Sequence, residues 1–238
     1  MNEILVDVTK NFSFDVIKSK GILVGILTEI NEDSVNMVSL DGFRLALAKE
    51  NMTSAEENKF IISAKIMNEI SKIVSDDDSD SDINIFLGSK KAVFNIGNTE
   101  VVLRLMEGEF IKYRDIIPTD GTIKVIVGKE ILLESIERAS LLAKEGKNNL
   151  IKMTIRNDLL TVTSRSEEGN VRENVYISKE GKELVIGFNS KYLLDSLKAI
   201  DDENIAMLFN TPISPCLIRP VEGNEYEYLV LPVRITNL

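Results

Sequence analysis

The chain of 238 residues contains no histidine and a single cysteine, Cys216. Without histidine it has neither the commonest general base nor the commonest metal ligand, so Ser-His and Cys-His chemistry is excluded, while carboxylate or lysine chemistry is not. One cysteine rules out an intrachain disulfide. Cys216 sits between Pro215 and Leu217 in an apolar, strand-like run, where a buried core thiol is expected rather than a nucleophile. Long hydrophobic runs are also missing: stretches such as Ile22-Leu23-Val24 fall far short of the 18 or more residues that a membrane span requires. The opening MNEILVDVTK has no basic region followed by an apolar one and a small-residue cleavage site. A cytosolic protein without membrane attachment is expected.

What is present is an apolar fraction of 44% and a formal charge of −10. The length suits one large domain or two ordinary ones. The negative charge argues against a protein that grips nucleic acid through its net field. It does not argue against one that encloses nucleic acid and is basic only on an inner surface.

A repeat organises the chain. Asn2-Glu3-Ile4-Leu5 resembles Lys129-Glu130-Ile131-Leu132, and Ser63-Ala64-Lys65 resembles Asn189-Ser190-Lys191, at nearly one offset. In the first copy Ile4, Leu5, Val8 and Phe12 recur at helical spacing. GILVGILTEI and VNMVSL then read as strands, followed by a helix with a stripe of Ile66, Met67, Ile70, Ile73 and Val74. INIFL, AVFNI and EVVLRLM read as strands, with a Gly97-Asn98 hairpin turn. The second copy reads as the strand TIKVIV, a helix over 129–143, strands at NLIKMTI, DLLTVTS, VRENVYI and ELVIGF, and a helix capped by Asn189 or Ser190. IAMLF, PCLIRP and EYLVLPVRI close it. The first copy's counterpart of TIKVIV would fall at about −5 to 0 by this offset, ahead of Met1, so that leading strand is expected to be missing. Pro118-Thr119-Asp120-Gly121 marks the junction and gives domains over 1–117 and 118–238.

Two local features carry chemistry. In MVSLDGFRLALA, Asp41-Gly42 is a turn signal between two extended runs, and it presents Phe43, Arg44 and Leu45 together. The acidic run DDDSDSD at 76–82 fails as a calcium loop, because Ser81 stands where glycine is needed and Leu87 where glutamate would close the site. It reads as a solvated loop, and no metal or cofactor is expected.

Taken with LMEGEFIKYRDIIP at 105–118, GFNSKYLLDSLKAI at 187–200, ISPCLIRP at 213–220 and YLVLPVRI at 228–235, the Asp41 stretch resembles the second and third domains of the bacterial DNA polymerase III β subunit, the replicative sliding clamp. The resemblance implies an α+β fold of two tandem clamp domains, each with two helices packed on antiparallel sheets, and a non-catalytic processivity factor. It implies a cleft for short peptides where the domains meet. The first copy would contribute Leu23, Leu40, Gly42, Phe43, Arg44 and Leu45. Ile111 and Ile116 would come from the linker, and Asn189, Tyr192, Ile213 and Pro215 from the second copy, with Leu229, Leu231, Pro232, Val233 and Arg234 near the C-terminus. Ile111 stands where the family carries proline after Phe110, and Thr236-Asn237-Leu238 extends past the usual ending.

For duplex DNA, bound without base reading, the resemblance implies Lys10, Lys65, Lys72, Arg138, Lys191 and Lys198 on the lining helices. Lys18 and Lys20 fall in a DNA-contacting loop. The implied protein partners are the replicative polymerase, the clamp loader and repair proteins, recognised through short linear motifs. Because the family's first domain has no counterpart here, the chain is expected to be mainly monomeric or weakly associating, with poor DNA retention. Two other readings remain open: a two-domain peptide-binding adaptor that does not encircle DNA, and an enzyme using paired carboxylates.

Overall fold

The computed structural model describes residues 20–52, 54, 57–76, 83–144 and 147–235. The helix expected over 1–12, with Lys10 and Lys18, lies outside the described residues, as do 77–82 of the acidic run and the tail 236–238. The chain divides into two compact units, Met1–Lys112 and Tyr113–Leu238. Three α-helices occur among the described residues, and none is long and apolar enough to cross a membrane.

In the first unit, strands β1 (Gly25–Ile30), β2 (Ser34–Leu40), β3 (Arg44–Asn51) and β4 (Asn58–Ser63) form an antiparallel run ordered β3-β2-β1-β4. β1 and β2 are buried along their whole length, including the polar Thr28, Glu29, Ser34, Asn36 and Ser39. Helix α1 (Ala64–Asp76) follows β4 directly and buries Ala64, Met67, Ile70 and Val74 on one stripe. Strands β5 (Asn84–Leu87), β6 (Lys91–Ile96) and β7 (Thr99–Arg104) form a three-stranded sheet that turns Ala92, Phe94, Ile96 and Leu103 inward. Gly97, at φ +53°, makes the β6–β7 turn.

The second unit opens with β8 (Ile123–Gly128) and α2 (Lys129–Ala143), whose buried Leu132, Leu133, Ile136, Ala139 and Ala143 recur at helical spacing. Strands β9 (Leu150–Arg156), β10 (Leu159–Ser166), β11 (Gly169–Tyr176) and β13 (Leu184–Asn189) are ordered β11-β10-β9-β13. The buried Ser164 hydroxyl donates to the Ala139 carbonyl at 2.7 Å, tying this sheet to α2. Helix α3 (Ser190–Leu197) is capped by Asn189, whose Oδ1 accepts from the Lys191 amide at 3.0 Å. Strands β14 (Asn204–Phe209), β15 (Cys216–Pro220) and β16 (Tyr226–Val230) join β8 and the short β12 (Ser178–Glu180) in the order β12-β8-β14-β15-β16. Cys216 is fully buried on the inner face, and burial pushes its thiol pKa far up.

The repeat persists at the level of single hydrogen bonds. The Met106 amide donates to the Ile61 carbonyl at 2.9 Å, and the Val233 amide donates to the Gly187 carbonyl at 2.8 Å. In each unit the segment after the last strand is thereby fastened to the edge strand that leads into a helix.

Three readings of the sequence need correction. Gly21–Val24 is a single 3₁₀ turn rather than the start of a strand, because Gly21 is left-handed at φ +62° and redirects the chain. Residues 231–235 are extended but outside β16, which ends at Val230 before Pro232 removes a donor. β12 is a short strand that the sequence reading does not contain, between VRENVYI and ELVIGF.

Candidate functional site

In the first unit the Asp41–Leu45 turn is built around one carboxylate. Asp41 Oδ1 accepts from the amides of Phe43 (3.0 Å) and Arg44 (3.2 Å), while Oδ2 accepts from Arg44 Nε at 3.0 Å. The Arg44 side chain is fully buried and that of Asp41 nearly so, so this ion pair is largely shielded from solvent. Gly42 takes φ +88°, which a side chain would resist. The turn leaves Phe43 56% exposed, while Leu40 and Leu45, cross-strand neighbours in register, are buried. Leu23 is half-buried in the 3₁₀ turn, and Ile111 is exposed after the buried Phe110. The sequence marked Asp41 as a turn former only. Its second role, orienting Arg44, follows from the i to i+3 spacing.

In the second unit the C-terminal segment runs beside the start of α3. Val233 is bonded to Gly187, two residues before the Asn189 cap, and α3 packs on β13 and β16. Gly187 is the residue that sequence reading missed. A Cβ there would stand 2.7 Å from the Val233 carbonyl oxygen and 2.9 Å from Ile235 Cγ1. A glycine inside a strand pattern is the signal for such a close approach. Leu229 is buried, whereas Tyr192, Pro215, Leu231, Pro232 and Val233 are half-buried and Arg234 is exposed. Ile213 projects at 74% exposure from the β14–β15 loop, and Ile116 is exposed just after the Tyr113–Asp115 turn.

The cationic candidates among the described residues are all on the surface. Lys20 and Lys65 are exposed. Lys72 pairs with Glu69 (2.9 Å), Arg138 with Glu173 (3.0 Å) and Glu134 (3.4 Å), Lys191 with Asp195 (3.6 Å), and Lys198 with Glu137 (2.7 Å). The hydrogen bond to Glu173 raises the Arg138 pKa further above its ordinary value.

Residues 4–112 match the central domain of the DNA polymerase III beta subunit, and residues 114–234 match its C-terminal domain. The chain belongs to the DNA polymerase III beta subunit family. A protein named beta sliding clamp from Staphylococcus epidermidis is 36% identical over 227 residues, which cover 94% of this chain and 60% of that protein. The crystal structure of the DNA polymerase sliding clamp from Bacillus subtilis superposes with a TM-score of 0.91 at 30% identity, over 99% of this chain and 63% of that one. The beta subunit from Thermotoga maritima gives 0.88 at 31% identity, over 99% and 64%. The chain thus spans about three fifths of the length of the curated relatives it matches. Both units of this beta-subunit chain are clamp domains in an α+β fold of helices on antiparallel sheets, as the family resemblance implied.

Proposed function

We propose that this chain serves as the central and C-terminal part of a sliding clamp, a cytoplasmic, non-catalytic processivity factor. It holds duplex DNA without reading its bases and binds the replicative polymerase, the clamp loader and repair proteins through short linear motifs. The observation that carries this reading is the match of both units, in order, to consecutive domains of the beta subunit.

The residues that the family resemblance implies for peptide binding lie in the first unit around Phe43 and in the second around Ile213 and residues 231–233. Phe43 and Ile213 supply exposed apolar area, the Leu231-Pro232-Val233 segment offers half-buried apolar surface, and Asn189 adds a polar group, while the buried Arg44 holds the turn that presents Phe43. A leucine-sized anchor contributes about 1.5–3 kcal/mol. Two or three of them with backbone hydrogen bonds give roughly micromolar affinity.

Lys20, Lys65, Lys72, Arg138, Lys191 and Lys198 make the phosphate contacts. Exposed ion pairs of the kind Lys72, Lys191 and Lys198 form are worth about 0–1 kcal/mol, so a phosphate can displace the carboxylate. A second reading, a peptide-binding adaptor that does not retain DNA, is favoured by the carboxylate partners that several of these cations already have.

One experiment separates the two. A fluorescently labelled peptide carrying a glutamine followed by hydrophobic residues is titrated into the protein, in parallel with retention on nicked circular DNA at increasing salt. The clamp reading expects both peptide binding and salt-sensitive retention. Peptide binding alone supports the adaptor, and failure of both overturns the proposal.

A further inference from the structure

The internal repeat extends to a pattern of charge. On α1, Lys65, Glu69 and Lys72 follow one another at helical spacing, so two lysines and the carboxylate between them share one face. Lys191, Asp195 and Lys198, on α3 and the residue after it, repeat this pattern at the offset that relates Ser63 to Asn189. Each unit therefore places a carboxylate between two of the lysines proposed to contact phosphate. Glu69 pairs with Lys72 at 2.9 Å, and Asp195 pairs with Lys191 at 3.6 Å. Lys198 is held from the neighbouring helix, by Glu137 of α2 at 2.7 Å.

These pairs change what a phosphate contact gains. A lysine that meets a phosphate from open solvent releases counterions condensed on the DNA, which is the source of salt-sensitive binding. A lysine held by its own carboxylate has to leave that partner first. The carboxylate left behind repels the phosphate and gathers a cation from solution, so affinity and net counterion release both fall. The pairs are also weak, as exposed pairs are: at Lys72–Glu69 both side chains are 60% exposed. Phosphate and carboxylate can therefore exchange, and the tethered carboxylate returns whenever the phosphate moves on. Contacts of this kind hold DNA without fixing its register.

We propose that Glu69, Asp195 and Glu137 are built-in competitors of DNA phosphate for Lys72, Lys191 and Lys198, and that they keep the hold on duplex DNA weak and only shallowly dependent on salt. On the DNA-holding reading above, on which this rests, three carboxylates as well as the cations decide how firmly DNA is retained.

The test measures binding of a short fluorescent DNA duplex to the full chain by anisotropy, at salt from about 50 to 200 mM. The parent is compared with a variant carrying Glu69→Gln, Glu137→Gln and Asp195→Asn, and with a control carrying Glu167→Gln, Glu168→Gln and Glu183→Gln. The control removes the same charge from exposed positions in the β10–β11 turn and ahead of β13, where Glu183 pairs with Arg156. The variant should bind about tenfold tighter at the low-salt end, and its slope of log affinity against log salt should steepen by about 2–3, close to one for each lysine released. The control should keep the slope of the parent. Glu69→Gln alone, at a pair exposed on both sides, should steepen it by about one, and provides the same reading should Asp195→Asn loosen α3. Equal changes in the variant and the control overturn the proposal, because net charge then accounts for them. A parent that binds with salt sensitivity beside a variant of unchanged slope overturns it and leaves the DNA-holding reading in place. No duplex bound by any of these proteins overturns both.

Discussion

Val233 and Gly187 fasten the end of the chain to β13 by a backbone pair. The Val233 amide donates to the Gly187 carbonyl at 2.8 Å, and the Val233 carbonyl oxygen occupies the space a Cβ on residue 187 would need. Gly187→Ala therefore has to push residues 231–235 off the strand or strain both. The expected cost is about 1–3 kcal/mol, as for other overpacked sites. Urea unfolding measures it, and faster proteolytic clipping after Val230 reports the released segment. A variant as stable and as protected as the parent would mean that the segment is not held there.

The Asp41 carboxylate provides the next prediction. It accepts two amides and the Arg44 Nε, and the Arg44 side chain is fully buried. Withdrawing the charge partner of a buried guanidinium typically costs about 3–5 kcal/mol. Asp41→Ala is expected to cost up to that amount. Asp41→Asn, which keeps an acceptor for the two amides, should lose less. Equal losses in the two variants, read from urea midpoints, would show that turn geometry rather than charge sets the stability here.

Much of this was legible beforehand, for identifiable reasons. The 129–143 helix was read within its observed bounds because Leu132, Ile136, Ala139 and Ala143 keep one stripe that no glycine or proline interrupts. The Asp41-Gly42 turn was legible because only a few residue types make such turns. The 3₁₀ turn at Gly21–Val24 was not, since four residues of apolar sequence carry no period and the left-handed glycine acts at a single position. Nor was it legible that Phe86 is exposed and Leu208 buried: both are apolar strand residues, and exposure depends on what else lies over them. The proposed peptide residues came from family resemblance, because an exposed Ile213 and a buried Leu229 look alike in sequence.

Glu227 carries a pH prediction. It is partly buried, and desolvation raises its pKa above the ordinary carboxylate value, with Arg219 pulling the other way. The folded state therefore holds this proton to higher pH than the unfolded chain does. Its contribution to stability is largest below the unfolded pKa and is lost as pH rises through the raised folded value. Glu227→Gln removes the ionisation and should raise the melting temperature at pH 7, with the gain shrinking toward pH 4. Melts across that range decide it, and a gain that grows on acidification would contradict the assignment.

Leu231 and Ile213 together test the proposed peptide site while separating binding from folding. Ile213 is mostly exposed on the β14–β15 loop, so Ile213→Ala removes little packing. If a ligand's apolar side chain covers it, the variant should weaken the labelled peptide by about 1–2 kcal/mol of lost burial at unchanged stability. Leu231 is half-buried directly after β16, two residues before the Val233 anchor. Leu231→Asp places a carboxylate where the bound peptide would desolvate it, a cost an isolated charge does not recover. Binding should then be lost altogether, while the Val233–Gly187 bond keeps the segment seated and the urea midpoint close to that of the parent. Affinity unchanged in both folded variants would remove these two residues from the peptide site, and loss in Leu231→Asp alone would confine it to the segment after β16.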